Sequence, residues 1–366
     1  MSSENDLLLD AITDLAPKLL NTMEAFEQVQ RNMHPSRLET LAEFIVPFER
    51  ELRDSFSTIE AMEFPEDISA FGKRLINGAT YSLRACDGIT NRSGDNFATM
   101  KAMRAQCRAQ EFIYPLASVM TPVNQYFLEP DARENKQLLD DLNQDRPGQH
   151  VGILNARNER DSRGGFTLYV PEYLDTNESA SLVIVLHGGT GHGADFLWSW
   201  LREARTRGFI LMAPTSQQDT WSLMGEEHDL DPLLATLDFV KQQCNVDEEH
   251  ILLTGMSDGA TYCLLAGLNK DSPFTHLAPF SGVLHPEIQM FGRMQYARDR
   301  NIYLVHGTLD WMFPIETAYM AQSELLSAGA NLTFRAVEDL SHAYCRAENP
   351  NLITWFNPKL EVPKSG

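Results

Sequence analysis

An α/β domain with a mostly parallel sheet, preceded by an all-α helical bundle, is the fold class this sequence predicts, and two observations carry it. Up to about residue 146 the apolar residues recur at three- and four-residue steps, the helical period. From 147 to 366 short β-branched and aromatic runs alternate with helical ones, as strands joined by crossover helices do. Between them Asp141-Leu142-Asn143-Gln144-Asp145-Arg146-Pro147-Gly148 is polar and ends in Pro-Gly, which suits a linker. The predicted domains are therefore 1–146 and 147–366.

In the first domain Leu8, Ile12, Leu15, Leu19, Met23 and Phe26 form one stripe, and Leu38, Leu41, Ile45, Phe48, Leu52 and Phe56 form a second after a helix start at Pro35-Ser36. Further stripes run through Phe71, Leu75, Ile76 and Leu83, then Phe97, Met100, Met103 and Cys107 to Phe112 and Ile113. Four or five helices in a bundle follow, with Pro17 and Pro47 expected to kink or divide theirs. The second domain offers strands at 166–170, 182–186, 209–212, 250–253, 278–280, 302–305 and 332–336. Continuous apolar runs such as Leu182-Val183-Ile184-Val185-Leu186 mark strands buried on both faces, hence a mostly parallel sheet.

Composition narrows the partners. Thirty Lys and Arg against fifty-one Asp and Glu leave a net charge of −21 over 366 residues, which disfavours nucleic acid, anionic membranes and polyanionic substrates. No apolar run is long enough for a membrane span. The opening residues are polar and acidic without a basic region, so no secretory leader is predicted and a cytoplasmic location is expected. Five scattered cysteines lack zinc spacing and are read as free thiols. Glu226, Glu227, His228, Asp229 and Asp231 are read as a solvated acidic run, and neither metal nor cofactor is predicted.

The chemistry centres on Gly255-Met256-Ser257-Asp258-Gly259, which follows a strand-like run and precedes a helix-like one. A serine on so sharp a turn needs small residues two positions to either side, and Gly255 and Gly259 stand there. A serine hydroxyl is a poor nucleophile at neutral pH unless a base takes its proton and an acid orients that base. Asp310 follows the strand at 302–305 and His342 follows the strand at 332–336, so the chain order is Ser257, Asp310, His342. Glu338 and Asp339 are rival acids; His187 and His306 are read as bracing their loops. An oxyanion hole needs backbone N–H groups, expected from Asp258 and from the glycine loop Leu186-His187-Gly188-Gly189-Thr190-Gly191-His192-Gly193. Gly189 is the chosen donor there and Thr190 the alternative. Thr190, Trp221 and Trp311 are candidate pocket residues, ordinary packing being the alternative for the tryptophans.

These segments, with His306-Gly307-Thr308-Leu309-Asp310, Pro314 and Ser341-His342, resemble the α/β-hydrolase superfamily. Within it they are similar to the esterases grouped with polyhydroxybutyrate depolymerases, feruloyl esterases and the phospholipase/carboxylesterase family, over about 165–357. The resemblance implies an α/β-hydrolase fold and acyl-enzyme catalysis of a small-molecule ester by Ser257, Asp310 and His342, as a carboxylic ester hydrolase. Thioesters, polyester oligomers and small peptides suit the same machinery. Ala260 departs from the pattern, where many relatives carry glycine. The helical half has no recognised counterpart and is a candidate cap, docking module or homo-oligomer contact.

Overall fold

The computed structural model describes residues 2–91, 97–144, 150–175 and 177–362. Two compact units divide the chain, Met1–Glu134 and Asn135–Gly366. The junction expected at 146/147 lies outside the described residues. The second unit opens on a short helix: Asn135 caps it by accepting from the Leu138 N–H at 3.1 Å, and the charge of Asp141 bears on Tyr173.

The first unit holds α1 (Ser2–Arg31), α2 (Leu38–Glu60), α3 (Ser69–Thr90), α4 (Ala98–Ile113) and the short α5 (Thr121–Tyr126). Leu15, Leu19, Met23 and Phe26 of α1 and Leu41, Ile45 and Leu52 of α2 are buried, on the faces their spacing predicts. Pro17 and Pro47 sit inside continuous helices and divide neither. Each removes one backbone bond, a loss that packing of a long amphipathic helix offsets. The face predicted for α4 is a different matter. Phe97 and Met100 are exposed, whereas Ala98, Ala102, Ala105, Ala109 and Ile113 are buried. A Cβ on Gly88 of α3 would lie 2.8 Å from the Ala102 Cβ, so the two backbones approach through small side chains and leave the large ones outside.

The second unit carries α6 (Lys136–Leu142), α7 (Gly193–Phe196), α8 (Leu201–Arg207), α9 (Leu230–Gln243), α10 (Asp258–Gly267), α11 (Pro286–Met290), α12 (Ile315–Ser327) and α13 (Asn349–Phe356). Its strands are β1 (Gly152–Ala156), β2 (Phe166–Val170), β3 (Ala180–Leu186), β4 (Ile210–Pro214), β5 (Val246–Met256), β6 (His276–Phe280), β7 (Asn301–Gly307) and β8 (Asn331–Val337). They form one sheet in the order β1-β2-β4-β3-β5-β6-β7-β8. β1 and β2 pair antiparallel, as do β2 and β4, and the remaining neighbours are parallel. Every residue of β3 is buried, as its unbroken apolar run requires. Complete burial of a side chain such as Ile184 stabilises the fold by about 1.5–3 kcal/mol. β1 went unpredicted because it is a half-exposed edge strand without clear alternation. The parallel direction of β3, β5, β6, β7 and β8 brings the loops after them to one edge, where an open α/β sheet binds its ligands.

Candidate active site

Ser257 stands between β5 and α10 with φ 56° and ψ −118°, a strained conformation for a residue bearing a Cβ. Its N–H donates to the Phe280 carbonyl at 3.0 Å, which ties the turn to the end of β6. The flanking glycines are required by proximity. A Cβ on Gly259 would fall 2.4 Å from the Leu186 carbonyl oxygen, and one on Gly255 would fall 2.6 Å from Gly259 itself. Ala260 fits because Gly282 faces it: a Cβ there would come within 2.6 Å of the Ala260 Cβ.

Asp310 and His342 arrive after neighbouring strands. Beyond β7 and β8 the loops are tied by Thr308 N–H to the Val337 carbonyl at 3.0 Å and by Leu309 N–H to the Leu340 carbonyl at 2.9 Å. Asp310 accepts from the N–H groups of Met312 and Phe313 on Oδ1, at 3.0 and 2.8 Å. Its Oδ2 lies 2.8 Å from Nδ1 of His342, and Nε2 of His342 lies 2.9 Å from the Ser257 Oγ. With Nδ1–H donating to the carboxylate, Nε2 is left to accept the serine proton. Burial by itself would raise the Asp310 carboxyl. The bonds from His342 and from the Phe313 N–H outweigh it and hold the group below the usual carboxylate range. Glu338 and Asp339 are exposed, and the Nδ1 of this imidazole is taken by Asp310. His306 braces the acid loop, its Nε2–H donating to the Phe313 carbonyl at 2.7 Å.

The glycine loop after β3 lies against the serine. A Cβ on Gly188 would be 3.5 Å from the Ser257 Cβ, and one on Gly189 would be 2.6 Å from Oδ2 of Asp258. Asp258 opens α10, so its N–H belongs to the first helical turn and has no intrahelical acceptor. Thr190, the alternative donor, has its N–H bound to the Asp219 carbonyl at 2.8 Å. Gly189 is therefore better placed than Thr190. His187 is 1% exposed and bridges the loop to the next one. Its Nδ1–H donates to the Gly188 carbonyl at 2.7 Å and its Nε2 accepts from the Ser216 N–H at 3.1 Å. Burial pushes this imidazole down to about 3, so it works as a neutral strut.

Trp221 is 3% exposed, donates from its indole N–H to the His187 carbonyl at 2.7 Å and stacks on Tyr262 at 5.3 Å. Its place is in the packing behind the loop, the alternative to a pocket wall. Trp311 and Thr190 are exposed beside Asp310 and Gly189. The acidic run is not wholly solvated either. Asp229 is 4% exposed and accepts from the Gln217 N–H, the Ser222 N–H and the Ser222 hydroxyl, each at 2.7 Å. It thereby organises the loop after β4. Thr220 on that loop donates to Oδ2 of Asp258 at 2.6 Å, and Arg163 grips both loops from the segment before β2. Sequence reasoning missed Thr220 and Arg163, because partners separated by tens of residues leave no local spacing to read. Among the described residues no group of His, Cys, Asp and Glu gathers to hold a metal, and no helix is long and apolar enough to cross a membrane.

Residues 230–357 match the phospholipase/carboxylesterase family. That part of the second unit is similar to the family, and the match begins downstream of the glycine loop. A curated relative, the bifunctional acetylxylan esterase/xylanase of Neocallimastix patriciarum, is 25% identical over 210 residues, 56% of this chain. The aligned region spans 30% of that protein's length. Among solved structures, a thermostable esterase is 20% identical over 56% of this chain and 61% of its own, with a TM-score of 0.44. An S-formylglutathione hydrolase from Staphylococcus aureus is 14% identical over 58% of this chain and 100% of its own, with a TM-score of 0.46.

Proposed function

We propose that the second unit is a serine esterase acting through an acyl-enzyme. The observation that carries this reading is the unbroken line from Ser257 Oγ to His342 Nε2 at 2.9 Å and from His342 Nδ1 to Asp310 Oδ2 at 2.8 Å, on a serine with φ 56°. Ser257 attacks the ester carbonyl while His342 takes its proton, and Asp310 holds the imidazole in the needed tautomer and stabilises its cation. The oxygen that becomes negative is met by the N–H groups of Gly189 and Asp258. His342 returns the proton to the leaving alkoxide, and water, activated by the same imidazole, releases the acid. Thioesters, short polyester fragments and small peptides are the alternative substrates on this machinery, and the helical unit is proposed as an interaction module or a homo-oligomer contact.

The test is hydrolysis of p-nitrophenyl esters from acetate to palmitate by wild type and Ser257→Ala. Activity that falls by about 10⁴-fold or more in the variant is expected, its chain-length optimum measuring the acyl pocket. Equal rates in the two proteins would sink the proposal.

A further inference from the structure

The direction of the Gly189 N–H is set by its own peptide plane. That plane also contains the Gly188 carbonyl, since a peptide unit is planar and trans. The Gly188 oxygen accepts from Nδ1–H of His187 at 2.7 Å and from the Gly191 N–H at 2.9 Å, so the Gly189 N–H points the opposite way. The next peptide is fixed by the Thr190 N–H bond to the Asp219 carbonyl at 2.8 Å. Glycine-rich backbone resists rotation poorly, and Thr190 with φ 55° occupies a conformation that costs on the order of 1 kcal/mol. Something must hold both sides of this turn in place.

Arg163 is in position to do so. Its Nη1 donates to the Gly191 carbonyl at 2.7 Å, two residues past Gly189. Its Nε donates to the Gln218 carbonyl at 2.9 Å, one residue before the Asp219 carbonyl that anchors Thr190, and Nη2 reaches the same oxygen. Nη2 also donates to the Ser216 hydroxyl at 2.5 Å, on the residue whose N–H is bound to His187. One planar, permanently charged fork thus spans the two loops on either side of the Thr190 to Asp219 bond, a geometry an ammonium cannot reproduce. We infer that Arg163 is a positioning residue of the oxyanion hole, acting through the Gly191 and Gln218 carbonyls to keep the Gly189 N–H aimed at the reacting oxygen. This rests on the serine-esterase reading and on Gly189 as donor.

Loss of one oxyanion donor costs about 10²–10³-fold in kcat, and misaiming one costs less, roughly 10–100-fold. The experiment measures kcat and KM on p-nitrophenyl butyrate for wild type, Arg163→Lys, Arg163→Met and Arg163→Gly, each rate divided by active sites titrated with a fluorophosphonate. Expected are a fall in kcat of about 10–100-fold in the Met variant with KM within about twofold, partial recovery in the Lys variant, and rescue of the Gly variant by millimolar guanidinium but not methylammonium. A merely structural role would lower the titrated fraction and the melting temperature and leave kcat per site unchanged, which would overturn the inference. Should the Met and Gly variants fail to fold, an unaltered kcat per site in the Lys variant overturns it equally. A wild type that neither hydrolyses the ester nor reacts with the fluorophosphonate would refute the serine reading first, a result distinct from an active wild type with unaltered variants.

Discussion

The elbow that carries Ser257 and the seam between α3 and α4 use the same device, the missing Cβ, to different ends. At the elbow Gly255, Gly259 and Gly282 let a strand, a turn and a helix crowd together, and the backbone strain that results presents one hydroxyl to one imidazole. At the seam Gly78, Gly88 and the alanines of α4 bring two helices close, and the product is packing alone. Small residues therefore signal close approach, not chemistry. The proposed chemistry lies where the approach is combined with a strained φ and with charged partners delivered by other strands.

The comparison breaks most visibly at the acid. Asp310→Asn keeps the shape but loses the charge that holds the His342 tautomer, and kcat should fall by about 10³–10⁴-fold with little change in stability; stopped-flow ester hydrolysis and thermal melts read the two effects separately. Next comes Gly259→Ala, whose methyl meets the Leu186 and His187 carbonyl oxygens at 2.4 and 2.5 Å. Overpacking against backbone should cost about 1–3 kcal/mol or more and displace the serine, so urea unfolding and kcat per titrated site should both suffer. At the seam, Gly88→Ala meets the Ala98 carbonyl oxygen at 2.9 Å but gains up to about 1 kcal/mol of helix propensity. Its net loss of stability should be the smaller, with no change in kcat per site. Equal losses of activity from the two glycines would erase the distinction.

Acid should separate the units by a smaller and graded amount. Burial lowers His187 to about 3 and His276 to about 4, both in the second unit. Because these folded-state values lie below the ordinary 6.5, the unfolded chain takes up the protons first. Their contribution is whole above pH 6.5 and is lost as pH falls towards 4 and then 3, initially by up to about 1.4 kcal/mol per pH unit for each ring. In the first unit burial raises Asp87, which has the opposite sign. All five tryptophans lie in the second unit, so their fluorescence in urea should show its midpoint falling between pH 7 and pH 5. A midpoint that stays level would contradict the burial of these rings as neutral groups.

Much of this could be read from the residues because it is local. Seven of the eight strands were legible from their apolar runs, and the Ser257, Asp310 and His342 candidates from their places after three of them. What escaped was either weak in pattern or distant in sequence. β1 is a half-exposed edge, and the buried face of α4 is mostly alanine and glutamine, which periodicity of large apolar residues overlooks. Arg163 serves carbonyls 28 and 55 residues away, and Asp258 meets Thr220 across 38 residues. Such contacts arise from the crossing of loops at the sheet edge, and no spacing along the chain encodes them.

The most direct measurement is intact-protein and peptide mass spectrometry of the enzyme quenched during turnover of p-nitrophenyl butyrate. The account predicts one butyryl group on the peptide containing Ser257, absent in Ser257→Ala and released over time in the wild type. Turnover without any acylated peptide, or acylation of a different residue that survives Ser257→Ala, would contradict it.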